Sequence, residues 1–176
     1  DPIKINSVVV RGVNEDDVVE LAQQTITRPW NVRFIELMPF GDGQESELAK
    51  DRVVSTSVTM SRIIDEIGPL EPVPSAHPSD ESCNYRLPGA EGIVGFISPV
   101  SDPFCSSCNR VRLSAEGRLL LCLLRDDEAD LRSVIRSGGG VEAVRIALSK
   151  AILMKPVGHA LDKGIHASRR MHEIGG

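Results

Sequence analysis

The chain has 176 residues, of which 41% are hydrophobic, so it is long enough to bury the core of one ordinary domain or of two small ones. Its 20 basic and 25 acidic side chains give a formal net charge of -5, which argues against nucleic acid or an anionic membrane surface as a partner. No apolar run approaches the roughly 20 residues of a membrane-spanning helix, and the start at Asp1 without Met leads us to expect a piece of a longer protein.

The N-terminal part of the sequence predicts a strand, a helix and a second strand. β-Branched residues over 3–10 predict the first strand, Asn14 is placed to cap a helix that runs to about Gln24, and residues 33–38 predict the second strand. This order is typical of a right-handed parallel unit. Because parallel sheets are buried on both faces, two strands do not complete one, and we expect the end of a barrel or wound sheet with unpaired edges.

After a polar linker at 41–52, the sequence predicts a second domain that contains both helices and strands. Gly and Pro residues punctuate this part, and a Ser-Ala-Glu-Gly segment signals the turn of a hairpin. The predicted elements, in chain order, are a helix over 60–67 capped by Thr59, strands over 85–87 and 92–99, a hairpin formed by 109–113 and 118–123, helices over 127–136 and 141–154, and an extended tail to Gly176.

Three of the four cysteines lie close together in the sequence, at Cys105, Cys108 and Cys122. Four cysteines are too few for a disulfide scaffold in a chain of this length, and their spacing indicates a metal site in a reducing compartment. A C-x2-C turn lets two thiolates converge on one metal, and the hairpin carries Cys122 back beside them. A 4Fe-4S cluster held by three cysteines leaves one iron open, whereas a closed zinc site needs a fourth ligand, for which Cys83 and His159 are the nearest candidates. The spacing favours iron-sulfur over zinc, and zinc over unligated thiols.

Two pairs of basic residues are candidate anion-binding groups. Arg110 and Arg112 follow Cys108 closely, and on a strand both side chains project from the same face, which suits a phosphate or a polar purine edge. The alternative is that they balance a negative cluster or face solvent. Lys4 and Arg33 form the second pair, which would share a lumen if the two N-terminal strands were neighbours in a barrel. For this pair, charged side chains that simply reach water are the slightly favoured alternative.

Four segments of the sequence resemble one known family. They are KINSVVVRGVN, RFIELMPF, GFISPVSDPFCSSCNRVRLSAEGRLLLCL and the terminal MHEIGG. Together they resemble the C-terminal half of the molybdenum cofactor biosynthesis protein A family, whose members are GTP 3',8-cyclases, and the resemblance extends from Ile3 to Gly176. Its most specific part is C-x2-C-N-R-x-R, followed by a further Cys after thirteen intervening residues. The resemblance makes an iron-sulfur cluster, rather than zinc, the expected occupant.

The resemblance implies an α/β fold, namely the C-terminal part of an incomplete (β/α)6 radical S-adenosylmethionine barrel followed by a smaller α+β C-terminal domain that carries an iron-sulfur cluster. On this basis residues 1–45 are expected to hold the last strands and helix of the barrel, and residues 46–164 the cluster and substrate-binding domain. Residues 165–176 are expected to form a tail whose terminal Gly175 and Gly176 reach into the active site.

The resemblance also implies a reaction in molybdenum cofactor (molybdopterin) biosynthesis. In such lyases an N-terminal 4Fe-4S cluster cleaves S-adenosylmethionine to a 5'-deoxyadenosyl radical, which abstracts hydrogen from the ribose C3' of GTP. The C3' radical attacks C8 of guanine and gives 3',8-cyclo-7,8-dihydro-GTP. The open iron of a second, C-terminal 4Fe-4S cluster meets the guanine.

The residues of this chain take their roles from the family residue by residue, and none of them is assigned as catalytic. Without the resemblance, the most plain interpretation of Met38 is core filler. The resemblance implies that the C-terminal cluster is bound by Cys105, Cys108 and Cys122, GTP by Lys4, Arg33, Arg110, Val111 and Arg112, and S-adenosylmethionine by Met38.

The radical-initiating C-x3-C-x2-C motif of the family does not occur in this sequence. We therefore expect the chain to be the GTP-binding 4Fe-4S half of the enzyme, inactive alone, with the N-terminal half of the barrel as its partner and a homodimer as its assembly. The expected compartment is the cytoplasm of a bacterium or the mitochondrial matrix of a eukaryote. Two alternatives stay open: a non-catalytic zinc-stapled module with Cys83 as fourth ligand, and a nucleotide-binding module without turnover.

Overall fold

The computed structural model of the protein describes residues 2–41, 48–75, 80–170 and 173. The chain forms two compact units, and each is made of two stretches of sequence. Unit 1 consists of Asp1–Met38 and Ala49–Ser107, and unit 2 consists of Pro39–Leu48 and Cys108–Gly176. Along the described residues, no helix is both long enough and apolar enough to cross a membrane.

Unit 1 is built on a mixed sheet. Its described strands are β1 (Lys4–Val9), β2 (Asn31–Glu36), β3 (Glu71–Val73), β4 (Cys83–Arg86) and β5 (Ile93–Ile97), and its described helices are α1 (Val18–Thr27) and α2 (Thr56–Glu66). The strand order is β1-β2-β5-β4-β3. β1, β2 and β5 are parallel, whereas β4 and β3 are antiparallel to their neighbours. The α/β fold class is confirmed in this coarse sense.

The expectation that this chain contributes only two strands to a parallel sheet is wrong. β2 has β1 on one side and β5 on the other, with Val94 opposite Val32 and Phe96 opposite Phe34. All four of these side chains are buried. The apolar run of β5 predicted a strand but did not indicate its partner, because a continuous apolar run carries no pairing information. Among the described strands, β1 has a neighbour on one side alone.

α1 begins later than the capping pattern predicts. Its N-cap is Asp17, and Asn14 instead closes the loop that follows β1. The Asn14 side chain accepts the N–H of Val10 at 2.8 Å and donates to the carbonyl of Val8 at 2.9 Å. Asn side chains commonly form such local bonds in turns, so the same residue type fits both roles.

α2 begins earlier than predicted, and the prediction of Thr59 as its cap is wrong. The N-cap is Ser55, and Thr59 lies in the first turn with its hydroxyl 3.4 Å from the Ser55 carbonyl. The N–H of Thr56, the first helical residue, is bound instead by the carboxylate of Glu36 at the end of β2, at 2.8 Å. A cap that comes from a distant strand leaves no local sequence pattern.

The core of unit 1 lies between the two helices and one face of the sheet. Along β2, every second residue is buried and the alternate residues are half-buried. The core residues from the sheet include Val32 and Phe34, and those from the helices include Ala22 and Ile63. The opposite face of the sheet therefore carries the more accessible side chains.

Unit 2 contains an antiparallel sheet with the order β6-β7-β8. Its described elements are β6 (Arg112–Leu113), β7 (Arg118–Leu120), β8 (Glu128–Asp130), α3 (Leu131–Arg136) and α4 (Gly140–Leu153). The predicted hairpin is confirmed, because β6 pairs with β7 and the N–H of Ser114 donates to the carbonyl of Arg118 at 2.9 Å. Gly117 in this turn has a φ of 79°, which other residues rarely adopt.

The helix predicted over 127–136 is correct only in its second half. Glu128–Asp130 pairs with β7 as β8, and α3 starts at Leu131 with Asp130 as its N-cap. The Asp130 carboxylate accepts the N–H of Ser133 at 2.9 Å. α4 confirms the helix predicted over 141–154. The packed core of this unit consists of Leu119, Leu121, Leu131 and Ala151.

The domain limits at residues 45 and 164 stay predictions. The sheet of unit 1 joins strands from both sides of residue 45. A short 3-10 turn, Leu161–Lys163, precedes the expected tail. Gly175 and Gly176 lie outside the described residues, so their role in the active site also stays a prediction.

Candidate functional site

The Cys-x2-Cys segment follows the last strand of unit 1. Cys105 opens a short 3-10 turn, Cys105–Ser107, in which the N–H and the hydroxyl of Ser107 both donate to the carbonyl of Phe104, at 3.2 and 3.1 Å. Cys105 belongs to unit 1 and Cys108 to unit 2. Both cysteines are half-buried, and neither forms a disulfide bond.

Cys122 lies in unit 2, in the connection between β7 and β8. It is half-buried and follows the buried Leu121, whose N–H donates to the carbonyl of Asp127 at 3.0 Å. The side-chain hydrogen bond from Arg125 to Asp127 raises the pKa of Arg125, and Cys122 acts on that pKa in the same direction. Arg125 is thus a positive charge in the neighbourhood of the Cys122 sulfur.

Unit 2 brings the segment after Cys108 to the segment before Cys122. The ammonium group of Lys155 donates to the carbonyl of Leu121 at 2.6 Å and to the carbonyl of Arg110 at 3.0 Å. Arg110 lies two residues after Cys108, and Leu121 directly precedes Cys122. Lys155 was not identified from the sequence, because no local pattern marks a lysine that binds two distant carbonyl groups.

The thiol donor set fits an iron-sulfur cluster or zinc, since thiolates are preferred ligands of both. All four cysteines of the chain have reduced sulfurs that are not in disulfide bonds. Within the described part of the chain, however, no three His, Cys, Asp or Glu side chains are gathered closely enough to hold a metal ion. The joint binding of a cluster by Cys105, Cys108 and Cys122 therefore stays a prediction.

Lys4 and Arg33 lie on the accessible face of the sheet in unit 1. In the register of β1 and β2, Lys4 is opposite Asn31 and Asn6 is opposite Arg33. Residues opposite one another, and residues two apart on one strand, share a face. The two cations are therefore on the same side of the sheet, one pleat apart.

The side chain of Arg33 is largely enclosed. It is 18% exposed, lies 3.8 Å from the Glu81 carboxylate, and has a buried Nε with no hydrogen-bond partner among the described residues. It crosses Gly95, where a Cβ atom would stand 3.2 Å from Cγ of Arg33 and would overlap the hydroxyl of Ser82. The lack of a side chain at position 95 thus leaves space first for the Ser82 hydroxyl and also for the arginine on this face.

Arg110, Val111 and Arg112 are arranged differently from the sequence prediction. The strand begins only at Arg112, which pairs with Leu120, so Arg110 lies in the preceding loop. The side chains of Arg110 and Val111 are exposed, and that of Arg112 is half-buried. The prediction that Arg110 and Arg112 share a face by lying on one strand is therefore wrong, while their proximity in the chain is unaffected.

Met38 is half-buried and lies two residues beyond the end of β2. Glu36, the last residue of that strand, is only 2% exposed. Its carboxylate accepts the N–H groups of Thr56 at 2.8 Å, Val100 at 3.0 Å and Ser101 at 2.8 Å, and also the hydroxyl of Ser101. Sequence reasoning missed this residue, although an acidic side chain in a buried position of an alternating strand was a signal.

Burial alone raises the pKa of the Glu36 carboxyl, but its hydrogen bonds from Ser101, Thr56 and Val100 outweigh burial and hold the pKa below the ordinary value. Glu36 is therefore a buried anion that joins the carboxyl ends of β2 and β5 to the start of α2. The loop that it binds at Ser101 leads to Cys105 four residues later.

The chain after α4 is fixed to unit 2 near the Cys122 connection. The N–H of Ser168 donates to both carboxylate oxygens of Asp126, at 3.0 and 3.2 Å. The guanidinium of Arg169 lies 2.5 Å from Glu128 and 3.8 Å from Glu116. These bonds anchor the beginning of the predicted tail.

The sequence is similar to proteins of one known family. A family model described as Molybdenum Cofactor Synthesis C matches residues 30–161. A GTP 3',8-cyclase of Pelotomaculum thermopropionicum is 42% identical over 175 residues, which are 99% of this chain and 53% of the relative. GTP 3',8-cyclases of Alkaliphilus metalliredigens and Gloeobacter violaceus are each 43% identical, over 99% and 100% of this chain and 52% and 54% of the relatives. The chain thus spans about half the length of the curated relatives it matches.

Proposed function

Because the chain belongs to the Molybdenum Cofactor Synthesis C family, we propose that it is the GTP-binding, iron-sulfur half of a GTP 3',8-cyclase. The observation that carries this proposal is the similarity to relatives of that name over 99% of the chain. The proposal places the chain in molybdenum cofactor biosynthesis. It assigns radical generation to residues outside this sequence, since its four cysteines contain no C-x3-C-x2-C arrangement.

In the proposed barrel, β1 and β2 continue into the parallel strand β5 on one side, and the missing half supplies the strands before β1. The partly unpaired edge of β1 among the described strands supports this assignment. Met38 then lines the S-adenosylmethionine pocket, because residues just past the carboxyl ends of parallel barrel strands line the active sites of such folds. A homodimer is part of the same proposal.

Cys105, Cys108 and Cys122 are the proposed ligands of a 4Fe-4S cluster. When bound by three thiolates, such a cluster offers an open iron to which a purine nitrogen or oxygen can coordinate. The chain's own contribution is to hold the substrate. Fixing a reacting group in a productive geometry is worth up to roughly 7–11 kcal/mol of a reaction barrier, and Gly175 and Gly176 are proposed to close the site over it.

Lys4 and Arg33 are proposed to bind the triphosphate. Their shared face of the sheet supports this role, and so does the buried Nε of Arg33, which has no hydrogen-bond partner among the described residues. Two cations one pleat apart neutralise a polyanion that a chain of net charge -5 would otherwise repel. Glu81 keeps Arg33 in place through an ion pair of 3.8 Å. Arg33 exchanges this ion pair for phosphate when GTP binds.

The proposal is tested with anaerobically reconstituted full-length protein, GTP, S-adenosylmethionine and a low-potential reductant. We expect GTP-dependent formation of 5'-deoxyadenosine and of the 3',8-cyclised nucleotide, and no turnover by the 176-residue chain alone. A full-length protein that contains iron and sulfide but forms neither product would contradict the proposal. A colourless protein that holds one zinc instead would support the zinc-stapled module.

Replacing Arg110 and Arg112 by Ala is expected to weaken GTP binding by about ten- to a hundred-fold for each arginine, since charge-assisted hydrogen bonds contribute about 1.5–3 kcal/mol. Arg136→Ala is the matched control, because Arg136 is exposed at the end of α3 in the same unit. Equilibrium dialysis of the full-length variants against GTP measures the effect. Equal affinity in the double variant and the control would remove both arginines from the site.

A further inference from the structure

Lys155 is a cation whose hydrogen bonds are directed to the backbone of the cysteine-bearing segments. It is half-buried directly after α4, and its own N–H donates to the carbonyl of Ile152 at 3.1 Å. This backbone bond fixes the start of the side chain at the end of the helix. The ammonium group then spans from the Leu121 carbonyl at 2.6 Å to the Arg110 carbonyl at 3.0 Å.

The two carbonyl groups lie just beyond the end of a short strand pair. The described ladder between β6 and β7 pairs Arg112 with Leu120 and Leu113 with Leu119. Beyond this ladder neither residue is in a strand: Arg110 lies in the loop two residues after Cys108, and Leu121 directly precedes Cys122 in the connection to β8. The Lys155 ammonium binds both backbone segments where this ladder ends. It therefore holds together the segment that leads back to Cys108 and the segment that leads to Cys122.

A charged donor is well suited to this position. Hydrogen bonds from an ammonium group are stronger than those between neutral groups, and the Leu121 residue that supplies one acceptor is 2% exposed. Groups that orient metal ligands without touching the metal commonly change metal affinity by about 10- to 100-fold when they are replaced.

We propose that Lys155 is a positioning residue that fixes the segments carrying Cys108 and Cys122 relative to each other and thereby stabilises the cluster that they bind. This inference rests on the proposed function, because it assumes that these two cysteines ligate the same cluster. Lys155 touches neither the cluster nor the substrate in this role. Its effect on Arg110 is through the backbone carbonyl, which it holds in place.

The test compares Lys155→Met, Lys155→Arg and Lys150→Met in the anaerobically reconstituted full-length protein. Lys150 is the matched control, because it is exposed in the last turn of α4. The iron that wild type binds and Cys122→Ser does not is assigned to the cluster at Cys122. The measured quantity is the rate at which a chelator removes this iron, followed by absorbance. We expect Lys155→Met to lose this iron about tenfold faster than wild type, Lys155→Arg to stay close to wild type, and Lys150→Met to be unchanged.

Equal rates in Lys155→Met and Lys150→Met would overturn the role of Lys155 while leaving the proposed function intact. A wild-type protein without that iron fraction would instead overturn the proposed function. Circular dichroism shows whether Lys155→Met is folded. If it is not, Lys155→Gln is measured in its place, because its amide is uncharged and one bond shorter and should hold the two carbonyl groups less firmly. Iron retention equal to that of Lys150→Met then overturns the proposal.

Discussion

Replacement of Glu36 by Ala is expected to lower the free energy of unfolding by about 2–4 kcal/mol, which makes it the most destabilising single change that we predict. The substitution removes the acceptor of three backbone N–H groups and one hydroxyl at once. A buried donor left without a partner costs about 1–3 kcal/mol, and part of that cost is recovered if water enters. Urea denaturation of the full-length protein, followed by circular dichroism, measures the change.

Glu66→Ala is the matched control, because Glu66 is exposed at the end of α2 in the same unit, and surface changes of this kind are usually within about 0.5 kcal/mol. A loss of stability at position 36 no larger than in the control would contradict the structural role of the carboxylate. A loss of activity does not show whether the carboxylate stabilises the fold or acts in the site, so the free energy of unfolding is the primary measurement.

The contribution of Glu36 to the free energy of unfolding should depend on pH in one direction. Burial raises the pKa of Glu36, but its hydrogen bonds hold the pKa below the ordinary value of 4.5. A carboxyl group with a lower pKa in the folded state stabilises the protein fully above its unfolded pKa, and this stabilisation is lost as the pH falls through the folded pKa. The stability difference between wild type and Glu36→Gln should therefore be constant at neutral pH and shrink below about pH 4.5. A difference that does not change between neutral and acidic pH would contradict the ionised state.

Glu36 also explains why the sequence predicted which helices and strands unit 1 contains better than it predicted where they begin and end. β1, β2 and β5 are recognisable from the sequence, because a buried strand is a short run of apolar and β-branched residues that are consecutive in the chain. The start of α2 depends on a carboxylate twenty positions earlier in the sequence, which no local pattern contains. For the same reason β8 was predicted as helix, since its pairing with β7 is a tertiary contact.

The candidate site shows a similar division. The spacing of Cys105, Cys108 and Cys122 and the nearby arginines could be read directly from the sequence, because ligand spacing and charge are local features. Lys155 could not, since its two acceptors are backbone carbonyls 34 and 45 residues away in the sequence. The space that Gly95 leaves for Arg33 also becomes visible only when β2 and β5 are paired.

If the proposed function is correct, Cys122→Ser is expected to abolish binding of the cluster assigned to Cys105, Cys108 and Cys122 in the full-length protein, whereas Cys83→Ser is expected to leave that cluster in place. A serine hydroxyl does not supply the thiolate that holds these clusters. Cys83 is a matched control, because it is also a cysteine without a disulfide bond but lies exposed on β4, opposite Phe96. Iron and sulfide are counted after anaerobic reconstitution and gel filtration of each variant.

The paired variants also separate the cluster from the zinc alternative. If Cys83 were the fourth ligand of a structural zinc, both substitutions would release the metal, because a closed tetrahedral site loses its geometry with any of its four ligands. A three-cysteine cluster is indifferent to Cys83 and sensitive to Cys122. Equal iron and sulfide contents in Cys122→Ser and Cys83→Ser would therefore refute the three-cysteine assignment. Cys122 would then contribute no more to iron binding than the exposed Cys83 does.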